Sequence, residues 1–116
     1  MTLRQKQSVF TLRVARLILR ANELGYELTG GEWWRPPEMV AIYAKRGTGS
    51  QNSLHPDRLA LDLNLFKDGK WLTSTASHRP LGMYWESLST PDAVCVWGGS
   101  WGSDGNHYAI QHGNRK

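Results

Sequence analysis

The sequence predicts one α+β domain spanning residues 1–116, with helices packed on one side of a small antiparallel sheet. Near the N-terminus, apolar residues recur at helical spacing, at Phe10, Val14, Leu17, Ala21 and Leu24. Later the period changes to that of a strand, with Leu59, Leu61, Leu63 and Leu65 on one face and Ala60, Asp62 and Asn64 on the other. An Asp68-Gly69 pair directly after that run is a hairpin signal. A chain of 116 residues can bury one core but is too short for two ordinary domains.

Composition narrows the function classes. At 40% hydrophobic and 21% charged, the chain is neither disordered nor fibrous. Cys95 has no second cysteine to pair with, so an internal disulfide is excluded, and its neighbours Val94 and Val96 predict a buried strand thiol. A net charge of +4 and a pI near 9.5 favour polyanionic surroundings, but the excess is small for a dedicated nucleic-acid binder. Arg13, Arg16 and Arg20 break the apolar run well short of the ~20 residues a membrane span needs, so no transmembrane segment is expected. The charged, apolar and small-residue zones of a cleavable signal peptide are not in order either.

In chain order, the first helix runs from about Arg4 to Leu24 and stops at Gly25, with Arg13, Arg16 and Arg20 forming a solvated basic face. That face is also a possible peripheral contact with an anionic envelope. Tyr26 to Thr29 is a short strand, and Gly30-Gly31 reads as a turn. Pro36-Pro37 forces extended backbone at Arg35 and precedes a helix from Glu38 to Lys45, with Met39, Ile42 and Tyr43 facing inward. Arg46 to Ser53 has loop composition. After the hairpin, Trp71-Leu72 forms the returning strand, and Thr73 to Pro80 reads as irregular, with His78 exposed. Leu81 to Leu88 reads as a helix burying Met83, Tyr84 and Leu88, Asp92 to Trp97 as a strand, and His107 to His112 as a strand whose His112 points away from His107. With six tryptophans in so small a domain, most are expected in the core, Trp97 and Trp101 included.

Two separated segments carry chemistry. His55 and Asp62 stand seven residues apart, and alternation turns Asp62 away from the leucine face. Asp104-Gly105-Asn106-His107 supplies a second carboxylate and imidazole. Two His and one Asp are a ligand set for a catalytic Zn2+ that keeps one position open, which makes His55, Asp62 and His107 the candidate ligands. Asp104, left over beside His107, is then the candidate general base.

These residues carry a resemblance. Ser53-x-His55-x(6)-Asp62 followed by Asp104-x-x-His107 resembles the zinc peptidases of the DD-carboxypeptidase and L-alanyl-D-glutamate endopeptidase group, above all their bacteriophage endolysin members. Leu59 to Leu63 is similar to the strand bearing that family's Asp ligand, Trp97 to Trp101 to the segment leading into its second His, and Gly31 to Arg35 to a strand ending in a substrate-binding Arg. The resemblance implies a hedgehog/DD-peptidase-like fold, one zinc ion, substrate contacts from Arg35 and Ser53, and peptidoglycan as partner. From the lack of a signal, the expected location is the host bacterial cytoplasm, with action on the wall after release, and a monomer is expected. Because Asp rather than Glu stands in the base position, the implied substrate is the L-Ala–D-Glu bond. The alternatives are a D-Ala–D-Ala carboxypeptidase or dipeptidase on the same site, and a non-catalytic envelope-binding module with a structural metal. A nucleic-acid contact through Arg13, Arg16 and Arg20 ranks last, for want of a recognition motif.

Overall fold

The first helix, α1, runs from Leu3 to Glu23 and is bounded at both ends by local chemistry. Thr2 and Gln5 form a reciprocal capping box at its start. At its end Gly25 takes a positive φ of 85°, while Tyr26 N–H bonds Ala21 O and Gly25 N–H bonds Asn22 O. The computed structural model describes residues 1–47, 53–113 and 115; the greater part of the predicted 46–53 loop lies outside them. Beyond α1 the order is β1 (Glu27–Gly30), α2 (Pro37–Arg46), β2 (Ala60–Lys67), β3 (Lys70–Leu72), α3 (Thr75–Ser87), β4 (Cys95–Trp97) and β5 (His107–Ile110), with a 3-10 turn at Gly98–Ser100.

The strands form one antiparallel sheet in the order β1-β2-β5-β4, with β3 also paired to β2. This is the predicted α+β architecture. The hairpin from β2 to β3 turns on Asp68 and Gly69, whose φ values of 52° and 76° are those of a primed turn. On one face of the sheet, Leu61, Leu63, Leu65, Tyr108 and Ile110 pack with Phe10, Val14 and Leu17 of α1 and Leu81 and Trp85 of α3 in a single core. The Cα radius of gyration is 13.7 Å, close to the ~13 Å expected of one compact domain this size.

Several expectations are corrected by packing. Arg13 does not share a solvated face with Arg16 and Arg20. It is buried, and its guanidinium donates to Ala93 O, Cys95 Sγ and Thr90 Oγ1. Cys95 is buried as expected, and burial pushes its thiol up from the ordinary value.

The stretch Thr73–Pro80 is mostly helix rather than irregular chain. Ser74 caps α3 by accepting Ser77 N–H, and Pro80 sits inside the helix, where it removes one ladder donor. In α3 the buried side is Leu81, Gly82 and Trp85, while Met83 is exposed. In α2 it is Val40 that is buried, and Ile42 lies outside. Of the six tryptophans, Trp85 and Trp97 are buried, whereas Trp33, Trp34, Trp71 and Trp101 are exposed. Among the described residues, no helix is long and apolar enough to cross a membrane.

Candidate metal centre

The opposite face of the sheet is built by the same alternation. Asp62, Asn64 and Phe66 point away from the leucines, and His107 is the direct cross-strand partner of Asp62. Register alone therefore sets a carboxylate beside an imidazole. The second imidazole comes from the turn before β2. Leu54, fully buried, anchors that turn, and its carbonyl accepts the N–H groups of Asp57 and Leu59. Ser53 Oγ accepts the His55 N–H at 3.2 Å, and Arg58 closes the turn at a φ of 57°. Gln7 of α1 donates to Asp57 O at 2.8 Å, and Arg115 pairs with the Asp57 carboxylate, so both chain ends hold the turn.

From the other side the site is clasped by Gly31 to Arg35. Gly31 N–H donates to Asp62 O and Asp62 N–H to Glu32 O, each at 2.8 Å, extending the β1–β2 ladder by one step. A Cβ at Gly31 would meet Asp62 O at 2.9 Å, which explains the glycine as a close approach rather than a turn. Beyond that step the segment is irregular, a correction to the strand expected as far as Arg35. Trp34 Nε1 donates to Pro56 O at 3.3 Å, while Arg35 N–H reaches His55 O at 3.5 Å.

The three candidate ligands converge. His55 Nε2 lies 3.4 Å and His107 Nδ1 3.5 Å from the same atom, Asp62 Oδ1. One ligand atom from each residue falls within 4.8 Å of the others, and the trio can hold a metal ion. His55 Nδ1 faces Trp33 O at 3.2 Å, where only a protonated nitrogen can donate. Nε2 of the same ring then faces the Asp62 carboxylate, where a cation shared between them, proton or metal, is held from both sides. His107 Nε2 is buried with no hydrogen-bond partner among the described residues, so that ring's polar contact is on the Asp62 side. Burial works to raise the Asp62 carboxyl, but hydrogen bonds and charge attraction from His107 and His55 outweigh it and hold the group at about 2, down from 3.8.

The remaining predicted residues fall around the trio. Arg35 is buried, ion-paired with Glu32 and stacked 4.9 Å over the Tyr43 ring. Glu32 Oε1 in turn lies 3.9 Å from His55 Nδ1. Ser53 is buried beneath His55. Asp104 is exposed in the loop before β5, where its carbonyl accepts the His107 N–H at 3.1 Å. Trp101, expected in the core, is instead exposed at the site, its ring centroid 5.6 Å from that of His107.

The other two histidines lie apart. His112 Nδ1 is 3.3 Å from Lys6 Nζ. His78, expected on the surface, is buried with Nδ1 2.9 Å from the Tyr108 hydroxyl. Burial lowers the imidazole and raises the phenol, so the pair stays neutral. Glu32 and the Trp33 carbonyl were not legible as parts of the site. A backbone oxygen leaves no residue-type signal, and Glu32 reaches the site only through Arg35 and His55. Neither a scan against protein-family models nor a search of curated proteins returns a match for this chain.

Proposed function

We propose that the chain is a zinc-dependent peptidoglycan peptidase of the phage endolysin type, cutting the L-Ala–D-Glu bond of the stem peptide. The observation that carries this reading is the spacing of the trio. Ligand atoms ~2.0–2.1 Å from a tetrahedral Zn2+ stand about 3.4 Å apart, and the two nitrogens lie 3.4 and 3.5 Å from Asp62 Oδ1. Three protein ligands leave the fourth position for substrate or water, which suits catalysis better than a structural site. A zinc ion held there supplies Lewis acidity toward a scissile carbonyl and toward water.

The chain's own groups do the rest. His55, its tautomer set by Trp33 O, and His107, set by strand register, are positioned before any metal arrives. Asp104, exposed three residues before His107, takes a proton from the attacking water and returns it to the leaving amine. Arg35, held by Glu32 and Tyr43, orients a carboxylate or carbonyl oxygen of the substrate through its planar fork. Ser53 Oγ accepts the His55 N–H, and a hydroxyl that accepts can also donate, here to a substrate oxygen. The partner is bacterial peptidoglycan, reached from the host cytoplasm after release.

The test is digestion of isolated peptidoglycan by the zinc-loaded protein, with and without chelator, followed by mass spectrometry of the fragments. Chelator-sensitive N-terminal D-Glu and C-terminal L-Ala ends are expected. Loss of terminal D-Ala alone reassigns the site to a carboxypeptidase. An intact wall across several chemotypes leaves a non-catalytic envelope-binding module.

A further inference from the structure

A cavity of about 140 Å3 is lined in part by Asn64, two residues beyond Asp62 on β2, and by Asn106, the neighbour of His107. It arises because β3 and β5 pair along the same edge of β2 without meeting. β3 covers Leu65 to Lys67, β5 covers Ala60 to Asp62, and the notch lies over Leu63 and Asn64 between them. Asn64, Thr73, Ser103 and Asn106 line it together with His78 and Trp71. No formally charged side chain belongs to its described lining. Its volume is comparable to the ~150 Å3 of a cavity that encloses benzene, so a larger ring seated there leaves its substituents in solvent.

Two features indicate what enters. Trp71 is the cross-strand partner of Phe66, which places its indole on the same face as Asn64, Asp62 and His107. It is 63% exposed at the lip of the notch, although an indole is large enough to be buried at a gain. A flat apolar ring beside a rim of uncharged donors and acceptors complements a sugar, which presents one C–H face and an edge of hydroxyl and amide groups. Charged ligands find no counter-ion there.

We propose that this notch seats one neutral N-acetylated sugar ring, stacked on Trp71 and hydrogen-bonded by Asn64, Thr73, Ser103 and Asn106. The proposal deepens the peptidase reading and rests on it for its consequence. Asn64 lies two residues beyond Asp62 on the same face, about 7 Å along the strand. That is the reach of one amino acid, at most ~3.6 Å, plus a short linker. A glycan in the notch therefore places the bond after the first stem residue at the metal. A terminal D-Ala–D-Ala bond, about four residues from the sugar, lies more than ~10 Å out of register.

The test separates binding from cleavage. N-acetylglucosamine oligosaccharide, free of peptide, is titrated into the whole protein by NMR. Saturable shifts of the Trp71 indole and the Asn64 and Asn106 amides are expected, with Kd on the order of 1 mM. Trp71→Ala and Asn64→Ala should each weaken them at least fivefold. Shifts that are absent, or that map elsewhere, overturn the notch. In the cleavage assay, Trp71→Ala should raise KM for a disaccharide-linked stem peptide and leave that for the free peptide unchanged. Equal effects on the two also overturn it. Sugar binding without any peptide cleavage keeps the notch and sinks the peptidase reading.

Discussion

The two faces of the sheet are made from alternate residues of the same strands, yet they do opposite work. On the covered face, β2 and β5 present Leu61, Leu63, Leu65, Tyr108 and Ile110 to α1 and α3. There Trp85 meets Phe10 and Tyr108 edge-on, with centroids 5.7 and 6.1 Å away, and its Nε1 bonds Val96 O and Ala109 O. On the other face, the intervening residues present Asp62 and His107 as direct cross-strand partners. Folding free energy is concentrated where water is excluded. Ligand-binding capacity is concentrated where two imidazoles and a carboxylate converge. The lesson is that a period of two lets one strand serve both ends.

Three changes break or sharpen that contrast. The largest effect belongs to the covered face. Trp85→Ala removes a fully buried indole and should cost about 3–5 kcal/mol, a large part of the ~5–15 kcal/mol such domains possess. Urea unfolding measures it, and a loss under ~1 kcal/mol would contradict the packing account.

On the other face, the proposed peptidase reading predicts that Asp104→Asn leaves zinc binding and the unfolding midpoint in place while lowering turnover roughly 10²–10⁴-fold. Full activity in that variant removes Asp104 from the mechanism. Replacing an exposed loop carboxylate tests chemistry almost apart from stability.

The smallest effect concerns Asp62 in the metal-free protein. Its folded pKa, about 2, lies below the ordinary 3.8, so the folded state prefers the carboxylate. The stability this brings, about 2 kcal/mol, is fully present above pH ~4 and is lost as pH falls through ~2. Acid unfolding of Asp62→Asn should lack that limb. Identical acid profiles for the two proteins would show that the imidazoles do not hold the carboxylate in the folded state.

Much of this was legible in the residues. The α1 stripe from Phe10 to Ala21 is buried as its spacing indicates, Gly25 ends the helix, and Asp68-Gly69 makes the hairpin. The leucine alternation of β2 predicts both the core face and the outward turn of Asp62. His55, Asp62 and His107, paired from segments over forty residues apart, do come together. Helix and strand periods are local steric rules, so a window of ten residues carries them.

Long-range contact decided what those windows do not carry. His78 looks like a polar loop residue until α3 sets it against Tyr108, and Arg13 looks like its solvated neighbours until Ala93, Cys95 and Thr90 supply acceptors. Trp101 and Trp71 have the same side chain as Trp85, and only their places on the sheet expose them. The Trp33 carbonyl that orients His55, and the notch between β3 and β5, belong to backbone paths rather than residue types. Burial and hydrogen-bond satisfaction depend on which distant atoms arrive, whereas periodicity depends only on neighbours along the chain.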